Sequence, residues 1–564
     1  MAEWLEKKRA DTAAELEIRG KKIPKVIVQI LKNRGYDTPE KIEDFFDPSL
    51  SKMHNPLLIP NMEKAIERIM QAKNKKEKIL IHGDYDVDGI TGVALLMQNF
   101  SKLGIAADYF IPRRLIEGYG LSMRGLEYAV NSKYSLIITV DCGITAVSEI
   151  GQAKKNDIDV IVCDHHKPKE ELPDACALVN PKLAYSNYPF KELAGVGVAF
   201  KMLHALYTKM DISIDELYDD LDLVALGTVA DVVPLVEENR SLVKFGIKKI
   251  LKSRKVGFHA LLEEAGLTKG LTSYHLGFRI GPRINACGRL RDAKEALMLF
   301  LTKDKTVAMQ IVRELSVDNQ NRQQIEELIL SEAKGLIEEH DLAKDRIIIL
   351  GKESWHEGVI GIVASKISEA YARPTILLAM KREAAKGSGR SVSGFDITEA
   401  LHACQNLLIR YGGHKQAAGL EIKADKVDEL RQCINQFAQG FNDKIFMKKY
   451  YYDLKLDLKD ITSEVVYFLK FFEPTGMENP QPVFFGENFE IVGVPRVVGN
   501  NHLKFAVRKE DRVIDAIAFE QAEGILKMVP GKTRIDCLYS VSEDSFIEKR
   551  KVILKIKDMR TNLE

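Results

Sequence analysis

The sequence has almost no net charge. Its 564 residues carry 82 Lys and Arg against 81 Asp and Glu, a formal charge of +1. No global field marks it for nucleic acid, so a polyanion would have to be held by local clusters of Lys and Arg. Paired cysteine spacing is also missing. Cys142, Cys163, Cys176, Cys287, Cys404, Cys433 and Cys537 are odd in number and never fall as C-x-x-C, which speaks against a disulfide framework or zinc knuckle and for a reducing compartment. No apolar run approaches the ~18 residues of a membrane span, and the opening stretch from Met1 to Ala10 lacks the apolar core of a secretory leader. The expectation is a cytoplasmic chain without membrane contact. Its length suggests roughly three or four domains.

What is present gathers around His82-Gly83-Asp84-Tyr85-Asp86-Val87-Asp88-Gly89, between the apolar run Lys78–Ile81 and the helix-like Ile90–Met97. A strand, a Gly-containing turn and a helix make half of a βαβ unit, and in open α/β sheets ligands collect where strands end. Asp84, Asp86 and Asp88 would repel one another there unless a proton or a cation separates them. A turn rich in Asp and Gly that caps the next helix is the plainer reading of this stretch alone.

Two further strands bear on that choice. Ser135–Val140 ends in Asp141, and Ile158–Cys163 ends in Asp164-His165-His166. Three successive strands of one alternating β/α region, about 76 to 240, thus finish in residues able to hold a metal. A fourth apolar run, from Asp222, ends in Gly-Thr-Val-Ala-Asp231, and a carboxylate so deep in apolar sequence needs a partner. His82, Asp86, Asp88, Asp141, His165 and Asp231 form the candidate ligand inventory, with Asp84, Asp164 and His166 nearby. Carboxylates and imidazoles without thiolate suit Mn2+ or Mg2+ better than Zn2+, and six ligands suit two ions sharing a carboxylate, a pair that serves phosphoryl hydrolysis.

His82-x-x-x-Asp86-x-Asp88, Asp141, Asp164-His165-His166 and Gly-Thr-Val-Ala-Asp231 resemble the motifs of the DHH phosphoesterase superfamily. The wording His-Gly-Asp-Tyr-Asp-Val-Asp-Gly-Ile-Thr-Gly is similar to that of its RecJ family of single-strand-specific 5′ exonucleases. The resemblance implies one metal on His82, Asp86 and Asp141 and another on Asp88, Asp141, His165 and Asp231. It also implies His166 facing the scissile phosphate and Asp84 standing behind the ligands, so that Asp84, Asp164 and His166 serve catalysis.

The remaining chain is read against this. Arg279, Arg283, Arg289 and Arg291 fall within thirteen residues, with Asn285 among them; Gly and Pro would keep this backbone open as a phosphate clamp, and Pro-Arg-x-Asn-Ala-x-Gly-Arg-Leu is RecJ-like wording. The run from about 303 to 342 has no Pro and no Gly before Gly335, and reads as a connector helix of about 45 Å. Two Gly-rich loops follow, Lys386–Gly394 and Tyr411–Gly419, whose N–H groups would approach an anion. They resemble the DHH-associated domain, which implies substrate contacts from Ser388, Arg390, Ser391, Gly413 and His414, with Ser388 and Arg390 on the 5′ phosphate. From about 445 short alternating strands suggest a small barrel of OB type, a single-strand platform. Tyr450 to Tyr452 and Phe505 there read either as base-stacking rings or as core. Glu473–Pro482 resembles a RecJ junction with Thr475 and Glu478 in place of the usual Phe and Gly.

The expected architecture is α/β. A helical segment (1–75) leads to a DHH parallel-sheet domain (76–300), a connector helix (301–343), a DHH-associated α/β domain (344–444) and an all-β OB-fold (445–564). The resemblance implies a metal-dependent 5′-to-3′ exonuclease on single-stranded DNA in repair and recombination, using two Mn2+ or Mg2+ ions. It implies a monomer, with a single-strand-binding protein and a RecQ-like helicase as partners. The alternatives are a DHH phosphodiesterase acting on oligoribonucleotides or cyclic dinucleotides, and a non-catalytic replication scaffold, whose mark would be degenerate metal ligands.

Overall fold

A computed structural model describes the chain except for residues 1, 8–9, 11–15, 19, 115, 119, 268, 500, 545–550 and 563–564, so part of the opening stretch read for a leader lies outside the described residues. No helix among those described is long and apolar enough to cross a membrane. Three sheets organise the molecule.

The first is parallel throughout, in the order Ala107–Phe110, Ile79–Gly83, Leu136–Val140, Asp159–Cys163, Ala177–Val179. Its central strands are wholly buried. Alternate residues feed two cores: Ile79, Ile81, Leu136 and Ile138 pack with the helix Val87–Lys102 on one face, while Leu80, Ile137, Val160 and Val162 pack with Met123–Asn131 and Val147–Lys155 on the other. Burial on both faces is why these strands read as continuous apolar runs. The second strand in sequence lies on one side of the first and the third on the other, so the connections diverge and open a crevice at the carboxyl ends of Ile79–Gly83 and Leu136–Val140.

A helix of 35 residues, Lys305–Glu339, leaves this lobe. At 1.5 Å per residue it reaches about 52 Å. Ala308, Val312 and Leu315 belong to the first core, and Ile329, Ala333 and Ile337 to the core of the next lobe. That lobe holds a mixed sheet, Leu408–His414, Ala417–Lys423, Ala384–Arg390, Thr375–Met380, Ile348–Lys352, of which only the last two pair in parallel. The third sheet runs Leu454–Lys455, Phe484–Val498, His502–Lys509, Arg512–Ala518, Lys551–Asn562, Arg534–Asp544 and closes where Arg534–Asp544 pairs with Phe484–Val498. Closure makes it a barrel, filled by Phe484, Phe489, Leu503 and Phe505. Phe505 is therefore core, whereas Tyr451 is exposed.

Several expectations need correction. The N-terminal segment is not helical throughout: Glu3–Glu6 pairs in parallel with Lys449–Tyr452, and Ile27, Phe45 and Phe46 from its helices enter the barrel core. Four residues are too few to show a strand period, and the partner lies some 440 positions away. The cysteines are not all free, since Cys404 and Cys433 form a disulfide tying Ile397–Ala403 to Val427–Ala438. The arginine-rich stretch is not an open loop; it is a π-helical turn, Leu276–Ile280, continuing into the helix Gly281–Leu290, with Pro282 at the junction of the two. The two Gly-rich loops are largely strands, Ala384–Arg390 and Leu408–His414.

Candidate metal centre and phosphate cleft

The strand register builds the centre. Gly83 pairs with Val140 and Val140 with Cys163, so Asp84, Asp141 and Asp164 each stand one residue beyond a strand end. The ladder continues through them: Asp84 N–H donates to Val140 O, Asp141 N–H to Cys163 O and Asp164 N–H to Val179 O. Asp141 adopts a left-handed backbone (φ 61°), which costs on the order of 1 kcal/mol for a residue with a Cβ.

Helices add the rest. Asp86 caps the helix Val87–Lys102, its Oδ1 accepting from Asp88 N–H and Gly89 N–H. The Asp88 carboxylate accepts from Gly195 N–H at 2.6 Å and Val196 N–H at 2.8 Å, donors at the start of the helix Gly195–Lys209. Asp231 follows the last turn of Leu221–Ala230. Three glycines permit this crowding. A Cβ on Gly89 would lie 2.5 Å from Asp84 O, one on Gly195 2.6 Å from Asp141 Cβ, and one on Gly227 3.0 Å from Asp88 Oδ1.

His165 sits at the middle of the acids, its Nε2 3.1 Å from Asp141, 3.5 Å from Asp231 and 3.9 Å from Asp88. Three ligand clusters result, each with donor atoms within 4.8 Å of one another: Asp84, Asp86 and Asp141; Asp88, His165 and Asp231; Asp141, His165 and His166. His82 stands outside them. Its buried ring stacks on Phe110 and faces Ser122 N–H at 3.5 Å and Cys142 Sγ at 4.0 Å.

Electrostatics in the cluster call for a cation. Burial, and then repulsion among the acids, pushes the Asp84, Asp141 and Asp231 carboxyls well above the usual range and Asp88 up to about 7. Burial, and then His166, pushes His165 down to about 3, which leaves its lone pair available. Asp84 Oδ1 and His165 Nε2 are buried without a hydrogen bond among the described residues. The predominance of carboxylate oxygens suits Mn2+ or Mg2+, and the neutral imidazole offers one further donor. Asp164 behaves differently. Burial opposes its ionisation, but the bond from His166 Nδ1 (2.8 Å), the charge of His166 and His165 and the His166 N–H outweigh that and lower it to about 2; the His165 and Ile144 N–H groups also donate to it. It orients His166, whose pKa it raises against burial.

Opposite the acids lies a cationic cleft. In the helix Gly281–Leu290, Asn285 Oδ1 accepts from Val87 N–H at 3.0 Å, and a Cβ on Gly288 would meet Tyr85 O at 2.8 Å, so this helix lies directly against the aspartate turn. Arg289 Nη1 crosses to Gly358 O in the second lobe. Arg390 donates to Ser388 Oγ at 3.1 Å. Gly361 leaves room for both, since its Cβ would lie 2.8 Å from Ser388 Oγ and 3.1 Å from Arg390 Nη2. Arg114, stacked 5.4 Å over Tyr85, completes the group. Burial, and then its cationic neighbours, lowers Arg289 to about 10 and also lowers Arg390. A cavity of about 420 Å³ opens here, lined by Arg114, Ser388 and Tyr411 and by the ion pairs Lys386–Glu357 and Arg410–Glu421.

The structure thus brings Asn285, Arg289, Ser388 and Arg390 together. It separates the other candidates. Arg279 donates to Ala265 O and Arg283 to Arg279 O, on another flank of the helix. Ser391 Oγ is spent on Phe395 O, and Gly413 (φ 149°) is needed where a Cβ would strike Ala417 O. His414 is exposed, and after burial the cations that most lower its pKa are His166, Lys167 and Lys182, across the cleft. Sequence reasoning missed Arg114, Lys386 and Gly195. Lys386 opens the first Gly-rich stretch but was not singled out within it; Arg114 sits in no motif, and Gly195 carried only the signal of Ala194-Gly195-Val196-Gly197, small residues at a helix start. The Glu473–Pro482 junction is spent on packing: Asn479 bonds Phe472 O and Pro474 O, and Ser273 Oγ bonds Thr475 O.

Known proteins share this plan. Family sequence models match residues 78–228 (DHH family, N-terminal domain), 344–440 (DHHA1 domain) and 452–558 (RecJ OB domain). Fold and site together define a phosphoesterase of the DHH class. The chain belongs to its RecJ family. It is 37% identical over 541 residues to the single-stranded-DNA-specific exonuclease RecJ of Bacillus subtilis, covering 95% of this chain and 68% of the relative, and 35% identical to that of Escherichia coli, covering 91% and 92%. The crystal structure of RecJ from Thermus thermophilus in complex with Mn2+ matches with a TM-score of 0.83 at 31% identity, over 96% of this chain and 76% of that one. A Mg2+ complex of the same protein matches at 0.76.

Proposed function

We propose that the chain is a metal-dependent exonuclease that removes 5′ mononucleotides from single-stranded DNA in the 5′-to-3′ direction, in repair and recombination. The observation that carries this reading is the facing of two like-charge clusters of opposite sign across one cleft. Asp84, Asp86 and Asp141 would hold one Mn2+ or Mg2+ ion and Asp88, His165 and Asp231, with Asp141 beside them, a second; such ions would supply Lewis-acid charge for phosphodiester hydrolysis.

The chain's own groups do the rest. Asp164 holds the His166 ring toward the scissile phosphate, where its imidazolium N–H offsets developing charge. Ser388 and Arg390, with Arg114 and Arg289, receive the terminal 5′ phosphate, and His414 faces the phosphodiester from the second lobe. On this reading an anchored 5′ end makes the first internucleotide linkage the one that reacts. Water oxygen bonds to phosphorus, the P–O3′ bond breaks, and the proton lost by the water is balanced by one gained at O3′. The product is a 5′ mononucleotide. His82 supports the first strand end from behind.

The protein acts as a cytoplasmic monomer, with a single-strand-binding protein and a RecQ-like helicase supplying its substrate. Incubation with Mn2+ and end-labelled oligonucleotides tests the activity: single strands yield labelled mononucleotide and duplexes do not. No cleavage of single strands, with hydrolysis of dinucleotides instead, would overturn the reading.

A further inference from the structure

Tyr274 and Phe278 are among the most exposed large rings of the molecule, at 58% and 71% of their free surface. They stack on each other with centroids 4.9 Å apart and planes 26° apart. Ordinary burial preference would place such rings inside. Their position is fixed on two sides. A Cβ on Gly277 would lie 3.4 Å from Val229 and one on Gly281 3.5 Å from Ala230, so the turn carrying the rings rests on the helix that ends in Asp231. On the other side Ser273 Oγ bonds Thr475 O and Glu473, the segment that leads into the barrel.

The rings extend an apolar strip. Val232, next to Asp231, is 66% exposed, and Met477 is 54% exposed; the two segments are joined by Leu235 N–H donating to Met477 O at 2.9 Å. Beside the strip, Arg279 and Arg283 lie together, with Arg283 Nε buried and without a hydrogen bond among the described residues. Exposed rings and aliphatic side chains flanked by guanidinium, on a turn packed against the helix that ends in Asp231, match an unpaired polynucleotide: bases stack on the rings, and phosphates meet the arginines.

We propose that Tyr274 and Phe278 are a base-stacking platform for the unpaired strand on the 3′ side of the scissile phosphate, between the metal centre and the barrel. The inference rests on the nuclease reading above and adds to it a reason for single-strand preference, because paired bases present no free face to a ring. The rings are positioning residues that act by holding the strand.

The test is binding of a fluorescent single strand to the full-length protein in EDTA, where no cutting occurs, comparing an intact strand with one made abasic beyond its first nucleotide. Wild type should prefer the intact strand on the order of ten-fold or more. The Tyr274→Ala/Phe278→Ala double variant should lose that preference, and Phe278→Trp should keep it, which separates lost stacking from lost folding. A double variant that retains the wild-type preference for bases would overturn the platform while leaving the nuclease reading standing. Wild type that neither binds nor degrades single strands would overturn both.

Discussion

The metal centre and the cleft opposite it are built on the same electrical principle with the sign reversed. In the first lobe burial and mutual repulsion hold Asp84, Asp88, Asp141 and Asp231 above their usual pKa values; in the second region burial and neighbouring cations hold Arg289 and Arg390 below theirs. Each cluster is destabilising by itself and becomes favourable when a ligand of opposite charge arrives. On the proposed reading divalent ions would satisfy one and a terminal phosphate the other. The difference between them lies in mechanical support. The acids are fixed by three strand ends in register and by the helices Val87–Lys102 and Gly195–Lys209, whereas the arginines come from different lobes and meet only through contacts such as Arg289 with Gly358. The first site is therefore suited to chemistry and the second to holding and releasing a strand.

That contrast can be broken by mutation. Asp141→Ala should reduce turnover with Mn2+ at least about a thousand-fold while single-strand binding in EDTA persists, since a charge-stabilising group acts on the transition state more than on the ground state; kcat and an anisotropy titration report the two. Arg390→Ala should raise KM by about ten- to a hundred-fold with a smaller change in kcat, because charged hydrogen bonds to the substrate's end are lost. An equal fall in kcat would erase the division of labour. Asn285→Ala should lower kcat about five- to ten-fold by freeing the Val87 N–H and loosening the aspartate turn, and single-turnover kinetics would show it. Smallest is the effect of Asp231→Asn on the metal-free protein, where relieving like-charge repulsion should raise the unfolding midpoint by about 1–3 °C while abolishing much of the further rise on adding Mn2+. A lower metal-free midpoint would contradict the account of the acid cluster.

The α/β lobe and its acids were legible in the sequence because strand ends are local features: an apolar run followed at once by Asp141 or Asp164, or after His82-Gly83 by Asp84, announces both the strand and the residue beyond it. His82 was harder to place. It lies inside a strand, and its ring turns to Ser122 and Phe110, a choice made by packing across forty positions. The arginine helix and the Gly-rich strands were misread for one reason. Glycine signals either freedom or close approach, and at Gly288 beside Tyr85, and at Gly387 between Leu378 and Leu420, it is close approach. The Asn285 bond to Val87 spans 198 positions, and the disulfide joins cysteines 29 apart without a local pattern. Such contacts belong to the fold and leave no local trace.

The central claim is that the second lobe holds the 5′ end while the acids cut one linkage away. The most direct measurement is the size of the first product from a 5′-phosphorylated, 5′-labelled single strand with Mn2+, sampled before the strand is consumed. Labelled mononucleotide at the earliest times, slowed at low substrate when Arg390 is replaced by Ala, is the predicted result. Release of longer labelled fragments, or label that stays on the shortening strand until the end, would contradict it.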